Sequence, residues 1–269
     1  MGLTIYQVDA FTTEPFTGNP AGVCITPSAL DAVLMQRIAQ EMAVSETAFL
    51  ALDTMRLRWF TPQTEVELCG HATLATAYVL KQQGLLSEGD EVVFHTLSGE
   101  LIACANHAAI ELILPAPQLV KTQLSSELLS AVGIETSQLI DSCQFGSKAL
   151  IVVDEQATLL ALSPDFSRLK QLPGRGVVVT AQAKMPRTDF VSRYFAPWIG
   201  VDEDPVTGSA HCALAVYWFE QFAKEELLGY QASSRGGYIR VSRASNNAIK
   251  LFGQAVIVLK GDLCLPYDE

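Results

Sequence analysis

Short apolar runs rich in β-branched residues recur along the chain, broken by two longer segments that are apolar on nearly every side. Val92-Val93-Phe94, Leu101-Ile102-Ala103 and Ile110-Glu111-Leu112-Ile113-Leu114 read as strands in the first half, and Val177-Val178-Val179 and Val256-Ile257-Val258-Leu259 in the second. The segments Ala72 to Leu80 and Ala210 to Phe219 read as helices. A helix that is apolar all round has to be enclosed, so strands must wrap each of them. A third helix differs in kind, because Leu30, Leu34, Ile38 and Met42 fall at four-residue intervals between polar positions, which predicts an outer amphipathic helix. Ser28 with Asp31 gives it a weak capping signature. Gly84 and Gly229 are the expected stops of the two apolar helices.

The chain also matches itself. Arg58-Trp59-Phe60-Thr61-Pro62 has a counterpart 135 residues on in Arg193-Tyr194-Phe195-Ala196-Pro197. Gly70-His71-Ala72-Thr73-Leu74-Ala75 and Gly208-Ser209-Ala210-His211-Cys212-Ala213 stand 138 apart, as do Gly99-Glu100-Leu101-Ile102 and Gly237-Tyr238-Ile239-Arg240. Three collinear matches at nearly constant offset point to duplication rather than to one large β-rich domain. The expected fold class is α+β, with two pseudo-symmetric lobes, each a curved, mostly antiparallel sheet or barrel around a central apolar helix. The first lobe spans residues 1–116, with the C-terminal tail available to complete it, and the second spans 117–269. Prolines in Leu114-Pro115-Ala116-Pro117 mark the boundary. With no low-complexity linker, the lobes should pack closely and leave a cleft as the default small-molecule site.

Composition narrows the classes of function. Eighteen basic and 29 acidic side chains leave a net charge of −11, which argues against a nucleic-acid surface, and 49% apolar residues argue against disorder. No run approaches the length of a membrane span, and Met1-Gly2-Leu3-Thr4 leads into a strand-like run without a basic leader. A soluble, cytoplasmic protein without membrane partners is expected. Cys24, Cys69, Cys104, Cys143, Cys212 and Cys264 stand singly, as reduced thiols would. The four histidines lack metal-site spacing, so no metal cluster assembles from local sequence.

The two glycine-led helix starts carry the candidate chemistry. Backbone N–H groups at such an end lack internal partners and attract anions. Gly70-His71 and Gly208-Ser209 are therefore candidate carboxylate cradles, against the plainer reading that glycine only eases the start of a helix. Glu46, set in Val44-Ser45-Glu46-Thr47-Ala48-Phe49, is the leading proton-transfer group, against the alternative of an ordinary surface-strand carboxylate. Asp204 precedes Pro205-Val206-Thr207-Gly208-Ser209 and reads either as a turn aspartate or as a site group. A two-thiol racemase needs cysteine at the same place in both halves. Cys69 stands opposite Thr207 at the 138-residue offset, so that pair is absent, and Cys69 is either a reactive thiol or a small buried filler. Ser209 lacks the nucleophile-elbow pattern of a serine hydrolase, and His211, two residues along a helix, cannot readily serve as its base. His211 reads as structural.

Together these residues resemble the phenazine-biosynthesis PhzF-like family, of the diaminopimelate-epimerase fold. The resemblance runs through Val8-Asp9-Ala10-Phe11, Phe16-Thr17-Gly18-Asn19-Pro20-Ala21-Gly22-Val23, Ser45-Glu46-Thr47, Phe60-Thr61-Pro62, Cys69-Gly70-His71-Ala72-Thr73 and Asp204-Pro205-Val206-Thr207-Gly208-Ser209. It implies a homodimeric isomerase or epimerase that needs no cofactor or metal and moves a proton on a small carboxylated metabolite. Glu46 would be the general acid/base, with His71 and Asp204 sharing in catalysis. Ser45, Gly70, His71, Asp204, Gly208 and Ser209 would bind substrate. Family does not by itself fix substrate. The alternative is a non-catalytic carboxylate-binding protein on the same fold.

Overall fold

The computed structural model describes residues 2–245 and 247–264. They fall into two units, one drawn from Met1–Leu114 and Phe252–Glu269, the other from Pro115–Leu251.

The first unit opens with β1 (Leu3–Ala10) and β2 (Asn19–Thr26), an antiparallel pair. Helix α1 (Ala32–Met42) then crosses over to β3 (Glu46–Ala51), which runs parallel to β2. Next come β4 (Arg56–Phe60) and β5 (Glu65–Val66), antiparallel in succession, and α2 (Gly70–Gln82) leads to β6 (Glu91–Thr96), parallel to β4. The unit continues through β7 (Gly99–Ala105) and β8 (Ile110–Pro115), each antiparallel to the strand before it.

The second unit begins with β9 (Val120–Lys121) and α3 (Ser126–Val132) and then repeats the same order of pairings. Strands β10 (Leu139–Phe145) and β11 (Lys148–Val153) are antiparallel, and helices α4 (Gln156–Ala161) and α5 (Phe166–Leu169) connect to β12 (Gly176–Gln182), parallel to β11. Strands β13 (Phe190–Ala196) and β14 (Val201–Asp204) follow in antiparallel succession. Helix α6 (Gly208–Phe222) leads to β15 (Glu226–Gln231), parallel to β13 and antiparallel to β16 (Gly237–Ala244). Strand β17 (Ala248–Gly253) precedes the final strand, β18 (Ala255–Leu263), which is antiparallel to β1. The run Val256 to Leu259, expected in the second half, therefore completes the first unit's sheet. A strand belongs to whichever open edge pairs its backbone groups, and sequence order does not record that edge.

Each unit buries its sheet on both faces. In the first, α2 packs against β1, β2, β3 and β7, while α1 covers the opposite face with Met35, Ile38 and Ala39 over Ile5, Cys24, Phe49 and Phe60. In the second, α6 packs against β15 and β16, and a separate apolar cluster joins α3, α4 and α5 to Ile151, Val177, Val179, Val191 and Phe195. Strands covered on both sides need no polar face, which is why Ala149–Val153 and Gly176–Ala181 are buried without interruption.

Local chemistry fixes the helix ends. The side chain of Asp31 accepts hydrogen bonds from the N–H groups of Val33 and Leu34 at 2.9 and 3.3 Å, so Asp31 itself caps α1, not Ser28. In α2 the buried hydroxyls of Thr73 and Thr76 donate to the carbonyls of Cys69 and Ala72 at 2.6 and 2.7 Å, which makes a polar atom tolerable inside the sheet's curve. Gly84, with φ of +71°, follows the end of α2. The corresponding expectation for Gly229 fails. Helix α6 ends at Ala223, left-handed at φ +51°, and Gly229 lies within β15, where an added Cβ would come within 2.4 Å of the Phe190 ring. Its glycine serves packing, not helix termination.

Candidate active site

Strand β3 and the start of α2 bring four of the sequence's candidates together. Glu46 opens β3 beside Ala21, its parallel partner on β2, and its side chain is only 20% exposed. Its Oε2 lies 3.3 Å from Nε2 of His71, the second residue of α2. The Ser45 hydroxyl shares its one proton between Oδ1 of Asn19 at 3.1 Å and the Pro20 carbonyl at 3.0 Å, leaving a lone pair toward His71 Nε2 at 3.3 Å. On the other side of the ring, Cys69 Sγ sits 3.4 Å from Nδ1 and 3.9 Å from Nε2.

Burial drives the His71 pKa down from 6.5 to about 3, although the Pro20 carbonyl pulls it the other way. The ring is thus neutral near pH 7, so the 3.3 Å approach of Glu46 Oε2 sets a carboxylate against a neutral imidazole rather than forming an ion pair. Ser45 Oγ, 3.3 Å from Nε2 with its own proton directed elsewhere, assigns the single ring proton to Nε2. Cys69, Glu46 and His71 do bring three donor atoms within 4.8 Å of one another. Local spacing overlooked this trio because Glu46 comes from a strand remote in sequence.

In the second unit, Asp204, Gly208 and Ser209 gather at the start of α6. The Thr207 hydroxyl donates to Asp204 Oδ2. Gln231, fully buried, clamps the turn from β15: its Nε2 donates to the Asp204 carbonyl at 2.6 Å and its Oε1 accepts from Thr207 N–H at 2.9 Å. Lys148 Nζ donates to Ser209 Oγ at 3.2 Å. Neither helix start has a side-chain cap or an acidic residue in its first turn. Backbone donors at both starts are consequently available to an anion.

His211 lies outside this group. Its Nδ1 donates to the Thr207 carbonyl at 2.9 Å, and its Nε2 is buried without a hydrogen-bond partner among the described residues. A protonated ring would bury a second N–H with no acceptor, and desolvation lowers its pKa to about 4. Because the folded pKa is below the unfolded 6.5, stability is lost as pH falls from about 6.5 toward 4. The slope approaches ~1.4 kcal/mol per pH unit for one such proton. A His211→Asn variant, unfolded in urea across that window, is expected to show a pH slope shallower by about one proton. An unchanged slope would remove His211 from the acid response.

Sequence patterning missed Asn19, Gln231 and Lys148. The first lies in the Phe16-Thr17-Gly18-Asn19-Pro20 motif, which signals family but not chemistry; the other two carry no local signal. Strand register adds a relation between the units that spacing alone could not give. Phe60 pairs with Thr47 and its counterpart Phe195 with Val177, so Gly176 stands where the first unit has Glu46. Glu46 pairs with Ala21 and Gly176 with Lys148, so Lys148 stands where the first unit has Ala21. An added Cβ at Gly176 would come 2.2 Å from the Tyr194 hydroxyl, which leaves no room for a second carboxylate.

Among the described residues, no helix is long and apolar enough to cross a membrane. Residues 8–261 match the sequence profile of the phenazine biosynthesis-like protein family, PhzC-PhzF. An uncharacterized isomerase of Halalkalibacterium halodurans is 45% identical over 268 residues, covering 98% of this chain and 100% of that one. A PhzF-family crystal structure from Enterococcus faecalis superposes with a TM-score of 0.92 at 37% identity, covering 98% of this chain and 100% of the other. A probable proline racemase from Agrobacterium radiobacter shares the fold, with a TM-score of 0.62 at 11% identity, covering 98% and 93% of the two chains.

Proposed function

The chain belongs to the phenazine biosynthesis-like family, and on that premise we propose that it is a cofactor-independent isomerase moving a proton on a small carboxylated substrate. The observation that carries this reading is the Glu46 carboxylate, largely out of water and held against a neutral imidazole at 3.3 Å. Glu46 takes a proton from a carbon next to the substrate's carboxylate or a conjugated double bond. The electrons of the broken C–H bond spread into that system, and the same carboxyl group returns the proton to another carbon of it. His71 packs its neutral ring 3.3 Å from Glu46 Oε2 and limits where the carboxylate can turn, with Ser45 fixing the ring. Asp204, Gly208 and Ser209 are assigned to substrate binding, and the N–H groups at Gly70 meet the negative charge that develops beside Glu46 as the C–H bond breaks.

One acid/base favours a shift of hydrogen along one face over inversion at a carbon. Inversion needs a second acid/base on the opposite face, and the position equivalent to Glu46 is Gly176, while the counterpart of Cys69 is Thr207. Solvent deuterium wash-in tests the reading. Incubated in D2O with a panel of amino and hydroxy acids and their unsaturated analogues, the protein is expected to place deuterium at carbon in at least one substrate while moving a double bond. Tight carboxylate binding with no exchange in any of them would favour the non-catalytic alternative.

A further inference from the structure

Register puts opposite charges at matching places in the two units. Beside α2, the pair Ala21 and Glu46 presents a carboxylate to His71; beside α6, the pair Lys148 and Gly176 presents an ammonium to Ser209. Registered partners on parallel strands point to the same face, so Lys148 and the missing side chain at Gly176 share one side of the sheet. His71 and Ser209 are themselves counterparts at the 138-residue offset.

The setting of Lys148 is unusual for a lysine in a chain of net charge −11. Its ammonium is half-buried, 5.7 Å from the Tyr194 ring and 5.8 Å from the Phe145 ring. Among the described residues no carboxylate lies within ion-pair distance of it, and its one hydrogen-bond partner is Ser209. Burial and the nearby Arg175 guanidinium push its pKa down, against the pull of Asp204. Lys148 and Arg175 thus both lie in the field of Asp204, which already accepts from Thr207. Burying an ammonium without a counterion is costly unless an anion arrives to neutralise it.

We propose that Lys148, together with Ser209, binds an anionic carboxylate of the substrate, so that the second unit uses for charge recognition the positions equivalent to those the first uses for proton transfer. This rests on the reading that the Ser209 turn binds substrate, and it adds what that turn selects: a full negative charge, not merely a polar oxygen. A lysine present only to cover Tyr194 and Phe145 with its methylene stem would serve as well with the charge removed.

Benzoate and acetate, each set against its uncharged amide, are the probes, titrated calorimetrically. The intact protein is expected to bind at least one carboxylate and to bind the amides at least tenfold more weakly. Lys148→Gln is expected to weaken carboxylate binding about tenfold or more and leave amide binding unchanged, while Lys148→Arg retains it within about threefold. Equal carboxylate affinity in Lys148→Gln and the parent overturns the proposal. If Ser209→Ala loses binding while Lys148→Gln keeps it, the turn is a binding site and only the role of Lys148 falls. If the parent binds neither carboxylate, both the proposal and the reading beneath it fall. A measurement on the unaltered chain covers a variant that does not fold: benzoate, not benzamide, is expected to slow acetylation of Lys148 by acetic anhydride, followed by peptide mass spectrometry, and equal rates overturn the proposal.

Discussion

Glu46→Gln lowers solvent deuterium exchange into substrate by about 10³-fold, within the range of 10² to 10⁴ that a positioned general base contributes. Glutamine matches the carboxylate in size and still offers an oxygen toward His71 Nε2, so the 3.3 Å contact and the fold are expected to persist. What it lacks is a proton acceptor of useful basicity. The informative comparison is with Cys69→Ala. Cys69 contacts the far side of the same ring at 3.4 Å and, as a supporting group, is expected to cost less than about tenfold. Loss of exchange in Cys69→Ala together with full exchange in Glu46→Gln would transfer the base to the thiol and end the proposed mechanism.

Phe190→Ala is expected to lower stability by about 3–5 kcal/mol, the usual cost of deleting a buried phenyl ring. Phe190 is fully buried on β13, stacked at 6.2 Å and 6° on Trp218 and 5.8 Å from His211, both on α6. Gly229 on β15 lacks the Cβ that would collide with the ring. Two elements, α6 and β15, therefore close around a side chain carried by β13. Urea unfolding followed by tryptophan fluorescence measures the effect; a loss below about 1 kcal/mol would show that the site collapses and that the ring does not brace α6. Because α6 carries Ser209 at its start, carboxylate binding is expected to weaken in the same variant.

The duplicated order of elements was legible because it rests on local signals: apolar runs, two all-apolar helices, and paired glycine turns at nearly constant spacing. Arg58 and Arg193 show how far this carries. Each was visible only as half of a sequence match, yet each makes a two-armed ion pair, to Glu65 and Glu203, in the strand pair preceding its central helix. The matched arginines announced matched hairpins. Glu46 was singled out by its apolar neighbours, and its placement against His71 needed coordinates, because residues 25 apart in sequence can meet only through the crossover that brings β3 beside the start of α2.

The sequence by itself determined the class of fold, the two central helices and the residues at their starts, since these follow from patterning and turn chemistry within a few residues. Tertiary structure decided the rest: that Val256 to Leu259 closes the first unit's sheet, that Ala223 and not Gly229 ends α6, and that Gly176 and Lys148 occupy the places of Glu46 and Ala21. Each of these depends on strand register, and register is set by contacts between segments distant along the chain. A shift of one residue would turn every side chain of a strand to the opposite face, so which charge stands beside which helix is a property of the folded sheet.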